Sequence, residues 1–236
     1  MFKWDSKTIE WYERAMTFSE YPAVFLPQLR QVVRGASTLI DACSGTGALA
    51  LGLAPEVSKV IAVDCSGEAL AHLERKARQL GLTNVVPVVA RWEDCLVEPA
   101  DVLVAAHPAS CVTGSVEAIQ RLKEVARKSV ALIVPTGTQD FMFGLRSGSE
   151  PKQRVIAQDV LELLSSLGIR WHARDYEYDF SQPFDSPQEA FEFLSTYVDL
   201  PEREIWKCVE TRLIRNGLSY VFPVTRRSTL IYWDWE

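Results

Sequence analysis

The sequence of 236 residues predicts a doubly wound α/β fold. From Thr38 onward, short apolar segments alternate with longer segments whose apolar residues recur at helical spacing, a pattern typical of α/β proteins. The first apolar segment is followed by a turn with Gly45 and Gly47, and helix-favouring residues begin at Ala48. A strand, a glycine turn and a helix in this order turn backbone N–H groups towards a ligand. We therefore expect a sheet with helices on both faces and a ligand site at one edge.

The composition is ordinary for a globular protein and excludes several classes. Apolar residues make up 47% of the chain and charged residues 24%. The net charge of −6 repels nucleic acid and anionic membranes, and no apolar run is long enough to span a bilayer. The first residues do not resemble a signal peptide, and five cysteines without a Cys-x-x-Cys pair indicate free thiols. We expect a cytoplasmic protein that binds neither nucleic acid nor a membrane, and the sequence leaves its oligomeric state open.

Residues 1–35 are expected to form two helices. The first is predicted over Lys7–Phe18, Tyr21-Pro22 interrupts the pattern, and the second runs to about Val33. Aromatic residues are too frequent in this segment for a purely solvated arm, so we expect it to pack on the rest of the chain.

Residues 36–170 are expected to contain five strands and three long helices. The predicted strands are Thr38–Asp41, Val60–Asp64, Val85–Ala90, Val102–Ala106 and Val130–Pro135. The third and fourth are entirely apolar, which is typical of strands that are buried on both faces. The predicted long helices are Glu68–Leu80, which is ended by Gly81, Ser115–Lys128, and Ile156–Leu167, which is ended by Gly168.

Residues 171–236 depart from this alternation. Trp171–Phe180 alternates between aromatic and acidic residues, which predicts a half-exposed strand. A capping box with proline at the first helical position predicts a helix over Ser186–Val198, and another helix is predicted over Pro201–Asn216. The last strand is predicted at Ser228–Trp233. All three regions are expected to form one domain, 1–236, with a helical insertion before the last strand.

Polar residues follow the ends of successive predicted strands. Asp64 ends the second strand nineteen residues after Gly45, where a carboxylate can accept from both hydroxyls of a ribose. The segment 91–94 follows the third strand, and His107 follows the fourth. The carboxyl ends of parallel strands share one edge of the sheet, where α/β folds bind ligands. We expect a nucleotide cofactor there, and because the glycine turn also fits the dinucleotide fingerprint, a nicotinamide cofactor stays open.

The glycine turn after Leu39-Ile40-Asp41, the acid Asp64 and the segment 92–94 resemble motifs of the class I S-adenosylmethionine-dependent methyltransferases. The resemblance covers about Thr38 to Gly168 and implies a Rossmann-like fold with a mostly parallel seven-stranded sheet. It implies S-adenosylmethionine as cofactor and S-adenosylhomocysteine as product. It also makes 1–35 a lid, 36–170 the cofactor-binding core and 171–236 the variable substrate-side elements of the small-molecule branch. The cofactor-binding residues that it implies are Asp41, Cys43, Ser44, Gly45, Gly47, Asp64, Cys65, Trp92 and Glu93.

The sequence departs from the family pattern at three places. Cys43 stands where the family usually has glycine, although its carbonyl can still accept from the methionine amine. Arg91 stands where an acid often accepts from adenine, which leaves that contact to Glu93, to Asp94 or to solvent. No Asn/Asp-Pro-Pro-Tyr sequence follows the fourth strand, so methylation of an exocyclic amine on a nucleic-acid base is not expected.

The acceptor side is expected to centre on His107, which acts either as a general base or as a wall of the pocket. Ligand pockets are mostly apolar, and the aromatic residues expected to line this one, with ordinary core as the alternative for each, are Trp11, Tyr12, Phe141 and Phe143. Aromatic and acidic residues between Trp171 and Trp206 leave a cationic acceptor open. No metal site is expected from the cysteine spacing. An arsenical or metal-linked acceptor nevertheless stays open, because four cysteines follow strand ends, namely Cys43, Cys65, Cys95 and Cys111.

We therefore expect methyl transfer to an oxygen, nitrogen or sulfur nucleophile of a small molecule. Methyl transfer is an in-line displacement whose rate depends largely on how the acceptor is held, so a base is optional. Two functions of other classes stay open. One is an NAD(P)-dependent oxidoreductase, and the other is a non-catalytic module of the same fold that binds a nucleotide or a partner.

Overall fold

The computed structural model describes residues 4–137 and 156–235. Its main sheet contains β1 (Thr38–Ala42), β2 (Lys59–Asp64), β3 (Val85–Val89), β4 (Ala100–Ala106), β5 (Ala126–Pro135), β6 (His172–Asp179) and β10 (Thr225–Asp234). These strands lie in the order β3-β2-β1-β4-β5-β10-β6. Strands β1 to β5 are parallel, and β10 runs antiparallel to both β5 and β6. The predicted mostly parallel, seven-stranded sheet is confirmed.

Helices cover both faces of this sheet. One face carries α1 (Ser6–Phe18), α2 (Leu26–Val32), α3 (Ala48–Leu53) and α4 (Gly67–Gln79). The other face carries α5 (Ser110–Thr113), α6 (Val116–Val125) and α7 (Ala157–Ser166). Side chains alternate along a strand, so Leu39 faces the first layer of helices and Ile40 the second. Within the two described ranges, no helix has the length and apolar character needed to cross a membrane.

A third layer lies between β6 and β10 in the sequence. It contains α8 (Pro187–Tyr197), α9 (Glu202–Arg212) and a small antiparallel sheet of β7 (Gln182–Phe184), β8 (Ile214–Asn216) and β9 (Ser219–Phe222). The hydroxyl of Ser186 accepts a hydrogen bond from the Glu189 N–H at 3.1 Å, so the predicted N-cap of α8 is present. The Glu189 carboxylate accepts from the Asp185 N–H rather than from Ser186, so the capping box is incomplete. This layer is the predicted insertion before the last strand.

Helix α1 joins the third layer to the core. Glu13 forms an ion pair with Lys76 on α4, and its carboxylate lies 3.4 Å from Nε2 of His72 on the same helix. On the side of the third layer, Arg14 lies 2.7 Å from a carboxylate oxygen of Glu189. Because both partners are part of folded layers, α1 is held over the carboxyl edge of the main sheet.

Two strand predictions are wrong in part, one in the burial of the strand and the other in its first residue. Strand β3 lies at the edge of the sheet, and Val89 is 63% exposed, so the strand is not buried on both faces. Pro87 within it fits an edge position, because proline has no N–H to donate to a neighbouring strand. Strand β5 begins at Ala126 rather than at Val130, because α6 ends three residues before the predicted Lys128.

The helix predicted over Pro201–Asn216 is also wrong in its second part. Helix α9 ends at Arg212, and the residues that follow form the hairpin of β8 and β9. Asn216 pairs with Ser219 across a two-residue turn in which Gly217 has a φ of +64°. Short hairpin turns need a positive φ, so Asn216-Gly217 marks a hairpin rather than a helix end.

Candidate functional site

The glycine turn leads from β1 to α3 through left-handed backbone. Gly45 has a φ of +54° and Gly47 a φ of +85°, which glycine adopts without steric cost. A Cβ on Gly47 would lie 2.5 Å from Cδ1 of Leu73, so this glycine also lets α4 pack closely against the turn. Cys43 shares the left-handed conformation, with a φ of +59°. Cys43 therefore has the left-handed backbone conformation that glycine adopts readily, at the position where the family usually has glycine.

The carboxylate of Asp64 fastens this turn to the end of β2. Its Oδ2 accepts a hydrogen bond from the Gly45 N–H and its Oδ1 from the Ser66 N–H, both at 2.9 Å. Each carboxylate oxygen has a second acceptor site, so Asp64 can still accept from two hydroxyls of a ligand. The Cys65 thiol is exposed beside it.

The carboxylate of Asp41 holds the beginning of α3. It is 2% exposed, and its Oδ2 accepts a hydrogen bond from the Ala50 N–H at 2.9 Å. The first N–H groups of a helix have no partner within the helix, so this contact replaces a local cap. Burial raises the pKa of Asp41 to about 7, and the nearby charge of Asp64 acts in the same direction.

The turn also carries a buried hydroxyl and a close aromatic neighbour. The Oγ of Ser44 is buried and has no hydrogen-bond partner within the described ranges. Such a group costs about 1–3 kcal/mol unless a ligand satisfies it. A Cβ on Gly45 would lie 3.0 Å from Cζ2 of Trp4, so the backbone here admits close approach by a planar group. The unsatisfied Ser44 hydroxyl suits a polar ligand group, whereas the backbone of Gly45 is in contact with the indole ring of Trp4.

The residues expected around adenine divide into a core part and a surface part. Trp92 is 3% exposed, and the guanidinium of Arg121 lies 5.3 Å from its ring centroid, so the ring belongs to the core. Glu93 is exposed and hydrogen-bonds to the thiol of Cys111. That thiol also has a hydrogen bond with Cys43, which lowers the pKa of Cys111. Glu93 is thus linked through two thiols to the glycine turn.

The four cysteines that follow strand ends do not form one group. Cys43 and Cys111 meet, Cys65 is exposed beside Asp64, and Cys95 is buried in the core. In the part of the chain that the structure describes, no group of three or more His, Cys, Asp or Glu side chains is placed to hold a metal ion.

His107 lies at the carboxyl edge, directly after β4, in a left-handed conformation with a φ of +49°. A residue other than glycine pays about 1–2 kcal/mol for this backbone, and such strain concentrates at functional sites. Its N–H donates to the Ile133 carbonyl of β5 at 2.7 Å. Its Nε2 lies 3.4 Å from Oη of Tyr178, which in turn lies 3.2 Å from Oγ of Ser228. The imidazole is therefore positioned by β5, β6 and β10 together.

Aromatic side chains and one cation surround His107. Tyr21 stacks on Tyr178 with a centroid distance of 6.0 Å and lies 6.2 Å from the His107 ring. Tyr12 and Tyr21 hydrogen-bond to each other, and Tyr12 lies 6.0 Å from the ring of Phe180. We refer to the following set as the aromatic cluster: Tyr12, Tyr21, His107, Tyr178, Phe180 and Arg226. It lies beside the glycine turn and beneath α1.

Of the residues expected to line the acceptor, the structure places Tyr12 in the aromatic cluster. Trp11 is on another side of α1, because successive helical residues point about 100° apart. It is 2% exposed, packs on Phe193 and donates a hydrogen bond to Glu189, so it belongs to the core of the third layer. The structure therefore corrects the expectation for Trp11. The other two residues, Phe141 and Phe143, lie outside the described residues.

Four residues of the aromatic cluster were not singled out from the sequence: Tyr21, Tyr178, Phe180 and Arg226. The alternation over Trp171–Phe180 assigns Tyr178 and Phe180 to one face, so it contained the signal for these two. Arg226 lies opposite Tyr178 in the pairing of β10 with β6. No local sequence pattern predicts the pairing of β10 with β6.

A parallel sheet, a left-handed glycine turn and an acid at the end of the second strand define an α/β protein that binds a nucleoside cofactor. Residues 34–167 match the family described as the methyltransferase domain. This match covers more than half of the chain, and the chain belongs to that family. The domain that this family describes is that of a methyltransferase. The methyl donor is thereby favoured over a nicotinamide cofactor.

Solved structures share the fold at low sequence identity. The YcgJ protein of Bacillus subtilis superposes with a TM-score of 0.61 at 15% identity, over 90% of this chain and 98% of its own. The magnesium protoporphyrin IX methyltransferase of Synechocystis, with bound S-adenosylhomocysteine, gives a TM-score of 0.54 at 12% identity, over 98% and 89%. A mouse (Mus musculus) relative, tRNA (uracil-5-)-methyltransferase homolog A, is 38% identical over 60 residues. That stretch covers 25% of this chain and 10% of the relative.

Proposed function

We propose that this methyltransferase acts on an oxygen, nitrogen or sulfur nucleophile of a small molecule that binds in the aromatic cluster. The observation that carries this proposal is the enclosure of the cluster. Tyr21 is 4% exposed and Tyr178 2% exposed, and α1 lies above them. These mostly aromatic side chains with a few polar groups lie beneath α1 and offer no open surface to a polymer, which favours a small ligand.

The glycine turn and Asp64 are proposed to hold the cofactor. The backbone of Cys43 to Gly45 and the buried Ser44 hydroxyl would take the methionine part, and Asp64 the ribose. Asp41 would act through α3, whose first turn it fixes. Cys65 and Glu93 would flank adenine, and Trp92 would support that segment from the core.

His107 is proposed as the residue nearest the acceptor nucleophile. When bound, S-adenosylmethionine would supply an activated methyl group to the nucleophile, and its sulfonium would become a thioether. The chain then has to hold the nucleophile in line, and a strained residue positioned by three strands suits that task. A neutral imidazole can also accept the proton of a hydroxyl, amine or thiol.

Methylation of RNA is a second candidate, because the mouse relative is named as a tRNA methyltransferase. The net charge of −6 and the enclosure of the cluster argue against it, since RNA-binding surfaces are basic and open. Tritiated S-adenosylmethionine separates the two candidates. Label transferred to total tRNA in preference to a pool of small metabolites would contradict the small-molecule proposal.

Calorimetric titration with S-adenosylhomocysteine tests the cofactor site. We expect wild-type protein to bind it and Asp64→Ala to bind more than tenfold more weakly, since hydrogen bonds to the ribose are lost. Glu98→Ala is the control, because this acid is exposed and lies outside the proposed site. Equal affinity of Asp64→Ala and wild type would remove Asp64 from the site.

A further inference from the structure

The indole of Trp4 covers the glycine turn. An ideal Cβ on Gly45 would lie 3.0 Å from Cζ2 of Trp4, 3.6 Å from Cε2 and 3.8 Å from Cη2, so one edge of the ring is in contact with the turn. The same ring packs edge-to-face on Tyr12 of α1, with 5.2 Å between the ring centroids. The ring therefore lies between the turn and α1, where it occupies space that a ligand on Gly45 would need.

Polar groups beside Gly45 gain nothing from this ring. The Oγ of Ser44 and the Oγ1 of Thr46 are both buried, and neither has a hydrogen-bond partner within residues 4–137 and 156–235. A buried hydroxyl that stays unbonded destabilises the fold. Trp4 approaches Gly45 with carbon atoms, which cannot satisfy a hydroxyl. A ligand that brings polar groups to the turn has hydroxyls to bond, and this favours the ligand over the indole.

Trp4 lies just outside α1 and is not needed to hold that helix. The next residue, Asp5, is the N-cap of α1, and its Oδ1 accepts a hydrogen bond from the Thr8 N–H at 2.9 Å. In return, the Asp5 N–H donates to the Thr8 hydroxyl at 2.8 Å. These reciprocal bonds fix the first turn of α1, and the ion pairs of Glu13 and Arg14 fasten the rest. Trp4 can therefore rotate away from the glycine turn while α1 stays in place.

We propose that Trp4 is an autoinhibitory plug of the cofactor site, because its indole and S-adenosylmethionine compete for the glycine turn. The backbone of Cys43 to Gly45 is proposed to take the methionine part of the cofactor, and the indole covers that backbone at Gly45. The two groups cannot occupy the same contact, so the cofactor binds to molecules in which Trp4 has moved aside. This inference rests on the proposed function and adds a regulatory contact to the same site.

Calorimetric titration of the full chain with S-adenosylhomocysteine tests the plug. A protein whose site is partly closed binds more weakly in proportion to its open fraction, so we expect Trp4→Ala to bind about threefold or more tightly than wild type. Trp4→Phe, which keeps a smaller ring, should lie between them. Trp171→Ala is the matched control, because this indole is 38% exposed and precedes the end of β6 that is remote from the carboxyl edge. Its affinity should equal that of wild type.

A second measurement follows the ring itself. The tryptophans of the protein are replaced by fluorotryptophan, and the fluorine NMR resonance that Trp4→Phe lacks belongs to Trp4. On saturation with S-adenosylhomocysteine we expect this resonance to move and its difference between light and heavy water to increase, because the ring leaves the turn for solvent. The resonance of Trp171, assigned in the same way with Trp171→Phe, should stay unchanged.

The outcomes separate the plug from the cofactor site. If neither wild type nor Trp4→Ala binds S-adenosylhomocysteine, the proposed cofactor site is wrong and the plug with it. Equal affinity of wild type and Trp4→Ala would contradict the plug while the cofactor site stands. Weaker binding by Trp4→Ala, or a Trp4 resonance that stays shielded in the complex, would make the ring a wall of the site instead of a plug. Thermal unfolding reports whether each variant folds, and if Trp4→Ala does not, the Trp4 resonance decides the question.

Discussion

The Oδ2 atom of Asp64 accepts a hydrogen bond from the backbone N–H of Gly45 at 2.9 Å. Nineteen residues separate the two in the sequence, yet this contact makes the end of β2 and the glycine turn one rigid unit. A carboxylate that is proposed to bind a ribose therefore also holds the loop that is proposed to bind the methionine part. The two halves of the cofactor site are coupled before a ligand arrives.

This coupling predicts that Asp64→Ala destabilises the protein even without a ligand. The N–H groups of Gly45 and Ser66 both lose their acceptor. Each buried unsatisfied donor costs about 1–3 kcal/mol, so we expect a loss of that order in urea unfolding. Asp94→Ala, at an exposed acid, should stay within about 0.5 kcal/mol of wild type. Equal losses in the two variants would contradict the structural role of Asp64.

Two glycines with similar backbone provide a second test. Gly47 and Gly35 have φ values of +85° and +75°, but only a Cβ on Gly47 has a close neighbour, Leu73. Gly35→Ala should cost about 1–2 kcal/mol for the left-handed backbone alone. Gly47→Ala should cost about 1–3 kcal/mol more, because α4 is also displaced. Thermal unfolding of the two variants side by side measures the difference, and equal melting temperatures would show that α4 does not pack on the turn.

The raised pKa of Asp41 predicts a pH dependence of stability. Burial raises this pKa to about 7, whereas an unfolded chain has an aspartate pKa of about 3.9. Between these values the folded protein keeps a proton that the unfolded chain releases. Stability therefore falls as pH rises from about 4 to about 7, by up to roughly 1.4 kcal/mol per pH unit, and is level above.

Asp41→Asn removes this titration and keeps an acceptor for the Ala50 N–H. Its stability relative to wild type should increase from pH 5 to pH 7 in urea unfolding. Asp101→Asn is the control, because the hydrogen bond from the Ser37 N–H lowers the pKa of Asp101. Its titration lies below this range, so its difference from wild type should be constant between pH 5 and 8. A constant difference for Asp41→Asn would show that Asp41 ionises normally.

The left-handed backbone of His107 predicts an order among its variants. Asparagine enters this region more readily than alanine, so His107→Asn should unfold at a higher temperature than His107→Ala. Both variants lose the contact with Tyr178, which makes the comparison specific for the backbone. Both should bind S-adenosylhomocysteine as wild type does, since His107 is proposed to serve the acceptor. The reverse order of melting temperatures would show that the left-handed backbone of His107 is not strained.

The sequence predicts the cofactor side of the site, namely the glycine turn and Asp64, because short local patterns encode it. A positive φ at Gly45 and an acid at the end of β2 are properties of short segments, and parallel pairing brings such segments to one edge. The βαβ unit itself determines which of these segments lie next to each other. The hydrogen bond between Asp64 and Gly45 is a detail of an arrangement that the spacing already predicts.

The acceptor side is encoded differently. Arg226 reaches the aromatic cluster only because β10 is antiparallel and lies opposite β6 in one particular register. A shift by one residue would place Arg227 there instead, since side chains alternate along a strand. Trp11 and Tyr12 show the same limit on α1, where adjacent aromatic residues serve different cores. Composition predicts that aromatic residues line buried regions, but it does not predict which ring packs in which region.

The place of β10 between β5 and β6 has a consequence for biosynthesis. Val130 pairs with Trp233, about a hundred positions later in the chain, so a ribosome must release nearly all of β10 before β5 has both neighbours. Until then the apolar run Val130–Val134 offers an open hydrogen-bonding edge to any other strand, including that of a second nascent copy. Loop closure over this distance makes assembly slow. We therefore expect the refolding yield of this protein to fall as its concentration rises.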